Sequence, residues 1–200
     1  MTAKFLRLSA LAGVVLAAGA LAACGEFVRD GHSPARLVII ALEGQSGPEG
    51  EPSGTLLSDV ITFGSPINDP GLVELGLQLR DIGNPASPNS PSSLNAVTIN
   101  RYHVKYVRAD GRNIQGVDVP YEFDSALTVT VPADGTAEAG FDLVRHLAKL
   151  EAPLAALAFD RTLIATIAVV TFYGRDQAGN TVSVEGQIGV TFGNFADPID

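Results

Sequence analysis

Two apolar runs joined by a short polar segment dominate the C-terminal part of the chain, at residues 162–192. The second run alternates apolar with polar positions, and its apolar members are Val182, Val184, Ile188, Val190 and Phe192. A period of two places successive side chains on opposite faces, so this run predicts a half-buried β-strand. The first run is apolar on both faces, which is typical of a strand that is covered on both sides or lies in the middle of a sheet. We therefore expect a hairpin with its tip within residues 174–180.

Shorter apolar or alternating runs predict further strands before this hairpin. They lie at residues 36–42, 56–63, 72–80, 96–108, 126–131 and 136–144. Within residues 96–108 the apolar phase slips between Ile99 and Tyr102, which predicts a bulge or a change of sheet. The proline-rich segment 83–93 is either a domain boundary or a crossover between sheets. We favour a crossover, because too few residues precede it for an independent core.

One helical pattern interrupts the strands. Four leucines recur at steps of three and four residues, namely Leu147, Leu150, Leu154 and Leu157. This spacing predicts a short helix over one open end of a sandwich. Pro153 limits it to two short pieces or a kink. We interpret His146 and Lys149 as exposed helix residues rather than catalytic groups.

The hairpin tip carries the sequence D-x-A-G-N at residues 176–180. It resembles the last hairpin of bacterial immunoglobulin-like and fibronectin-type modules, and the rest of the chain shares only their strand pattern. The resemblance implies an all-β fold, an immunoglobulin-like antiparallel β-sandwich with one short helix, over residues 36–200. Folds of this kind carry unrelated functions, so the resemblance alone names no activity.

The N-terminus has the three parts of a secretory signal. Lys4 and Arg7 precede an apolar run at residues 8–20, and small residues follow it. The run is shorter than the ~20 residues needed to span a bilayer. The sequence L-A-A-C-G at residues 21–25 resembles the lipobox of bacterial lipoproteins. That resemblance implies a signal peptide at residues 1–23, cleavage before Cys24 and acylation of Cys24, with palmitate as a typical acyl group.

Residues 24–35 then form a tether between the lipid and the domain. Two or more acyl chains anchor a protein stably, because each buried methylene contributes ~0.8 kcal/mol. Gly25 follows the cysteine where an aspartate would retain enteric lipoproteins in the inner membrane. We therefore expect a lipid-anchored protein of the cell envelope, held in the outer membrane and facing the periplasm or the cell surface.

The charge balance excludes one class of partner. The chain has 13 basic and 22 acidic residues and a net charge of −9. Nucleic acid is not expected as a partner, because its recognition needs a basic surface. Anionic lipid surfaces also repel an acidic domain, so membrane attachment is expected through the acylated Cys24. Cys24 is the only cysteine, which leaves stability to core packing without disulfides.

The sequence shows no catalytic or metal-binding motif. It has no Gly-rich phosphate loop, no H-E-x-x-H and no histidines at zinc spacing. The segment G-Q-S-G-P at residues 44–48 misses the spacing of a nucleophile elbow. We expect no enzyme, no cofactor and no resident metal. A calcium site remains an alternative to ordinary turn roles for four loop aspartates, which are Asp110, Asp118, Asp124 and Asp176.

The best candidate for partner contact is a basic stripe. Arg101, His103 and Lys105 share the face of one predicted strand that lies opposite its tyrosines. A solvated strand face is the commoner interpretation of such a pattern. The sequence indicates a non-enzymatic binding or scaffolding module, with an envelope protein bound through this stripe or by strand addition at a sheet edge. A carbohydrate- or small-ligand-binding module, a loop-based enzyme and a structural spacer remain alternatives.

Overall fold

The computed structural model describes residues 32–195, which fold into two packed β-sheets. The first sheet has the order β1-β3-β8, with β1 at Ala35–Gly44, β3 at Asp69–Leu79 and β8 at Thr136–Val144. The second has the order β2-β10-β9-β6-β7, with β2 at Thr55–Asp59, β6 at Val97–Val107, β7 at Phe123–Val131, β9 at Ile164–Asp176 and β10 at Thr181–Gly193. A small hairpin pairs β4, Gly83–Asn84, with β5, Ser87–Pro88.

This strand order is the immunoglobulin arrangement. In such domains strands A, B and E face strands C, F and G across the core. Here β1, β3 and β8 take the first set of places, and β6, β9 and β10 take the second. The prediction of an all-β sandwich is confirmed, and segment 83–93 does lie where the chain crosses between the sheets.

One detail of the sequence prediction is wrong. β2 pairs with β10 in parallel, whereas the expected sandwich was antiparallel. The helical segment forms two short helices, α1 at His146–Lys149 and α2 at Leu154–Leu157, which is one of the two outcomes expected from Pro153. Pro153 directly precedes α2 and lacks an amide hydrogen, which explains the interruption. No helix among residues 32–195 is long and apolar enough to cross a bilayer.

The predicted C-terminal hairpin is formed by β9 and β10. The two strands pair from Arg175 and Thr181 near the tip to Ile164 and Phe192 at the open end. β9 lies between β10 and β6, so its outward side chains pack beside side chains of a neighbouring strand on either side. This central position explains why both of its faces are apolar.

The core lies between the sheets and contains a cluster of aromatic rings. The rings of Tyr102 and Phe141 meet edge to face with centroids 5.2 Å apart, and those of Phe141 and Phe172 do so at 5.4 Å. All three side chains are buried. Phe141 comes from the first sheet and the other two from the second, so the cluster joins the two layers.

The predicted slip in phase is a β-bulge in β6. The register shifts between Ile99 and Arg101 against both neighbouring strands, β7 and β9. Beside the bulge, the backbone of Gly174 comes very close to Thr98. A Cβ atom at position 174 would lie 2.5 Å from the carbonyl oxygen of Thr98.

Replacing Gly174 by alanine is therefore expected to destabilise the domain by about 1–3 kcal/mol, because the backbone must move to admit the methyl group. Gly189→Ala on β10 is the matched control, since its Cβ would meet nothing nearer than 3.7 Å. Urea denaturation measures both. Equal losses for the two variants would contradict the close approach at the bulge.

The hairpin tip is organised by the buried carboxylate of Asp176. Its Oδ1 accepts hydrogen bonds from the backbone of Ala178 at 3.0 Å and of Asn180 at 2.9 Å, and its Oδ2 accepts one from Asn180 Nδ2 at 2.8 Å. Burial raises the pKa of Asp176, but the hydrogen bonds from Asn180, Ser33 and Ala178 outweigh burial and leave the pKa below its ordinary value.

This lowered pKa predicts how stability depends on pH. The stabilisation by the Asp176 carboxylate is fully present above the unfolded-state pKa of about 3.9, and it is lost as the pH falls through the lower folded-state pKa. Asp176→Asn is expected to cost about 1–3 kcal/mol at pH 7. Its deficit relative to the wild type should shrink below about pH 4. Urea denaturation at a series of pH values tests this, and a constant deficit would contradict it.

Candidate functional site

The structure places Arg101, His103 and Lys105 on the outer face of β6, as the sequence predicted. Arg101 and Lys105 are exposed and His103 is half-buried. Tyr102 and Tyr106 point the opposite way and are buried in the core. β6 is a central strand between β7 and β9, so the three side chains stand on a fixed part of the sheet.

The stripe is partly neutralised by acids of the neighbouring strand and loop. Arg101 Nη1 lies 3.3 Å from Asp124 Oδ1. His103 Nδ1 lies 3.3 Å from Asp124 Oδ2, and its Nε2 lies 3.7 Å from Glu122 Oε2. Exposed pairs of this kind contribute only about 0–1 kcal/mol to stability. None of the ion pairs found within residues 32–195 involves Lys105, so the surface has mixed charge with one free cation on β6.

The same outer face continues onto β9 and β10, which the sequence did not connect with the stripe. The guanidinium of Arg101 lies over the ring of Tyr173, with its Cζ 4.1 Å from the ring centroid. Beside this stack is a hollow of about 320 Å³. It is lined by Asn100, Arg101, Tyr173, Gly174, Arg175, Thr181, Val182 and Ser183. The strand pattern places Tyr173 and Arg175 on one face of β9, but only the strand register brings them next to Arg101.

A buried ionic network closes the end of the sandwich near α1, and the interpretation of Lys149 as an exposed residue is wrong. Lys149 is only 3% exposed. Its Nζ lies 2.9 Å from Asp69 Oδ2 and donates to the carbonyl oxygen of Asp59 at 2.7 Å. Asp69 also accepts hydrogen bonds from Ser58 Oγ at 2.6 Å and from the amide of Gly47 at 2.9 Å. The network thus ties α1 to β2, β3 and the loop after β1.

His146 is exposed, as expected, and is held by a neighbouring loop. Its backbone amide donates to Asn68 Oδ1 at 2.6 Å, and its Nδ1 lies 2.8 Å from the same oxygen. Asn68 Nδ2 in turn donates to Asp142 Oδ1 at 3.2 Å. These contacts fix the start of α1 against the loop between β2 and β3. Leu147 on α1 and Leu150 directly after it are exposed, so the predicted apolar face of the helical segment is buried only at Leu154 and Leu157.

The four aspartates considered for calcium each have a protein partner. The guanidinium groups of Arg108 and Arg112 hold the pKa of Asp110 well below its usual range. Asp118 accepts a hydrogen bond from the amide of Ile114, while Asp124 and Asp176 make the contacts described above. Within residues 32–195 no group of three or more histidine, cysteine, aspartate or glutamate side chains could hold a metal ion.

A larger groove lies where β1 begins and β3 ends, beside the crossover segment. It encloses about 780 Å³ and is lined by Ala35, Arg36, Leu77, Gln78, Leu79, Arg80, Ile82, Pro91, Asn95 and Ala133. Its arginines already have partners, because Arg36 Nε donates to Gln78 Oε1 and Arg80 Nε donates to the carbonyl oxygen of Ser33, each at 3.1 Å. The groove therefore offers amide groups, apolar side chains and the remaining N–H donors of the two arginines.

No protein-family model matches the chain, and no curated protein is similar to it in sequence. The predicted signal peptide at residues 1–23, Cys24 and the tether up to residue 31 lie outside the described residues. Because no relative was found, the fold alone defines the class of protein. It is a β-sandwich with a mixed-charge outer face on its five-stranded sheet.

Proposed function

We propose that this chain is a lipid-anchored protein of the bacterial cell envelope whose sandwich is a non-enzymatic binding or scaffolding module. One observation carries the binding role: Arg101, His103 and Lys105 stand side by side on the outer face of the central strand β6. Groups on strands are held more accurately than groups on loops, which suits recognition of a partner.

The anchor rests on the lipobox-like sequence around Cys24. Ala35, where β1 begins, lies 11 residues (35 − 24) after Cys24. A fully extended chain of that length spans at most about 36–40 Å. An acylated Cys24 would therefore keep the sandwich close to one membrane, in the outer-membrane location expected from Gly25. A partner of the module would belong to the same layer of the envelope.

Three side chains of types that often perform catalysis, Lys149, His146 and His103, have protein partners in this fold. Lys149 pairs with Asp69 inside the domain, and His146 contacts Asn68. His103 lies between two carboxylates on a solvated face. These assignments support a role in binding over a role in catalysis.

A second candidate function is a carbohydrate- or small-ligand-binding lipoprotein, favoured by the groove of about 780 Å³. That volume falls within the range of ligand sites in proteins. Gln78 and Asn95 supply amide groups to it, and Leu77 and Ile82 supply apolar surface. In this alternative the stripe on β6 would be a solvated face only.

The anchor and the binding face are tested separately. Cells grown with labelled palmitate are expected to label the wild-type chain and not the Cys24→Ser variant, and an unlabelled wild type would contradict the anchor.

To test the binding face, Arg101, His103 and Lys105 are all changed to glutamate and partners are captured by crosslinking in cells. Loss of a recurrent partner is expected, while Arg36→Glu in the groove should leave it bound. The opposite pattern would favour the ligand-binding alternative.

A further inference from the structure

The hollow beside Arg101 is built from two rows of side chains that cross three strands. Arg101, Tyr173 and Ser183 form one row across β6, β9 and β10. Thr98, Arg175 and Thr181 form the next row in the same order, and of these Arg175 and Thr181 line the hollow. Neighbours within a row have Cβ atoms about 4.5–5.5 Å apart, and diagonal neighbours lie about 7–8 Å apart. Arg101 and Arg175 are diagonal neighbours on adjacent strands, and both line the hollow.

Two contacts fix the position of Arg101 and leave N–H donors of its guanidinium available to a ligand. Its guanidinium stacks on Tyr173 at 4.1 Å, which uses the flat face of the group and leaves the N–H bonds in its plane available. Asp124 lies 3.3 Å from Nη1, but it belongs to β7, on the side of β6 away from the hollow. Asp124 thus orients Arg101 without filling the hollow.

Arg175 provides the second cationic group. It is exposed, and no ion pair found within the described residues includes it. Thr181 and Ser183 place hydroxyl groups beside it, and Asn100 adds an amide at the bulge. Two guanidinium groups next to hydroxyl and amide groups match an anionic group carried on a hydroxyl-rich molecule.

We propose that this hollow binds a carboxylate or phosphate group of a polyhydroxylated ligand, such as an acidic glycan. Arg101 and Arg175 donate charge-assisted hydrogen bonds to the anion, and Thr181, Ser183 and Asn100 contact neighbouring hydroxyl groups of the ligand. The inference rests on the proposed binding function, because the hollow lies on the same outer face and shares Arg101 with the stripe; it adds a ligand of this face to the envelope protein bound through the stripe.

Calorimetric titration of the full-length chain in detergent tests the proposal. The probes are tetragalacturonate, inorganic phosphate and the neutral maltotetraose. At least one anionic probe is expected to bind, whereas maltotetraose is not.

Arg175→Gln should weaken binding about tenfold, the effect of losing one charge-assisted hydrogen bond. Arg112→Gln, which removes a charge outside the hollow, should bind like the wild type. Raising the salt concentration should weaken binding, because salt screens the attraction between the exposed arginines and the anion.

The two anionic probes separate the sources of the charge. Binding of tetragalacturonate alone assigns a carboxylated glycan, and binding of phosphate assigns a phosphate-bearing ligand. Equal binding of maltotetraose, no binding of either anion, or unchanged affinity in Arg175→Gln would overturn the inference. The proposed function fails separately, through missing palmitate label or missing crosslinks, so retained crosslinks without anion binding would reject only the hollow.

Discussion

Replacing Lys149 by methionine is expected to destabilise the domain by about 3–5 kcal/mol, because it leaves the carboxylate of Asp69 buried without its counter-charge. Asp69 is 1% exposed and Lys149 is 3% exposed, so water cannot substitute for the missing ammonium group. The hydrogen bonds from Ser58 and Gly47 remain, but they do not neutralise the charge. Chemical denaturation of the wild type and the variant measures the loss.

Two further variants make this prediction specific. Adding Asp69→Asn to Lys149→Met is expected to recover part of the lost stability, since the uncompensated charge is removed while acceptor groups remain. Arg101→Met breaks the exposed pair with Asp124 and is expected to cost about 1 kcal/mol or less. A Lys149→Met variant no less stable than Arg101→Met would show that the network is not a buried ion pair.

Replacing Phe172 by alanine is expected to cost about 3–5 kcal/mol, the usual loss for a fully buried aromatic side chain. Phe172 is 0% exposed and meets the ring of Phe141 across the sheets, so its removal leaves a cavity between the layers. The adjacent residue, Tyr173, faces outward, and Tyr173→Ala is expected to cost about 1 kcal/mol or less. Denaturation midpoints of the two variants measure the difference.

The comparison of these neighbours tests the register of β9. A shift of one residue would exchange the inner and outer faces of the strand and reverse the two effects. A larger loss for Tyr173→Ala than for Phe172→Ala would therefore contradict both the core and the position of Tyr173 beside Arg101. The hollow on the outer face depends on the same register.

Much of the fold could be predicted from the sequence because its signals are local. The period of two in residues 181–192 identifies the face of β10 that is buried, and the slip after Ile99 marks the bulge in β6. The turn chemistry around Asp176 likewise lies within a few residues. Such features need no knowledge of which strands become neighbours.

The features that could not be predicted from the sequence depend on residues that are far apart in the chain. The parallel pairing of β2 with β10 joins segments more than a hundred positions apart and leaves no periodic signal. The burial of Lys149 leaves no local signal, because lysine is rarely buried without a partner and its partner Asp69 lies far away in the chain. The hollow was missed for the same reason, since Tyr173 and Arg175 join Arg101 only through the pairing of β6 with β9.

Crosslinking in cells tests most directly whether the anchored domain presents the outer face of its five-stranded sheet to a partner. A photoreactive residue replaces Lys105 on that face, and in a matched strain it replaces Glu138, which is exposed on β8 of the other sheet. The expected result is a recurrent protein adduct from position 105 only, which is lost when Cys24→Ala prevents lipidation. Equal adducts from both positions, or an adduct from position 105 that survives Cys24→Ala unchanged, would contradict a lipid-anchored module that binds through this face.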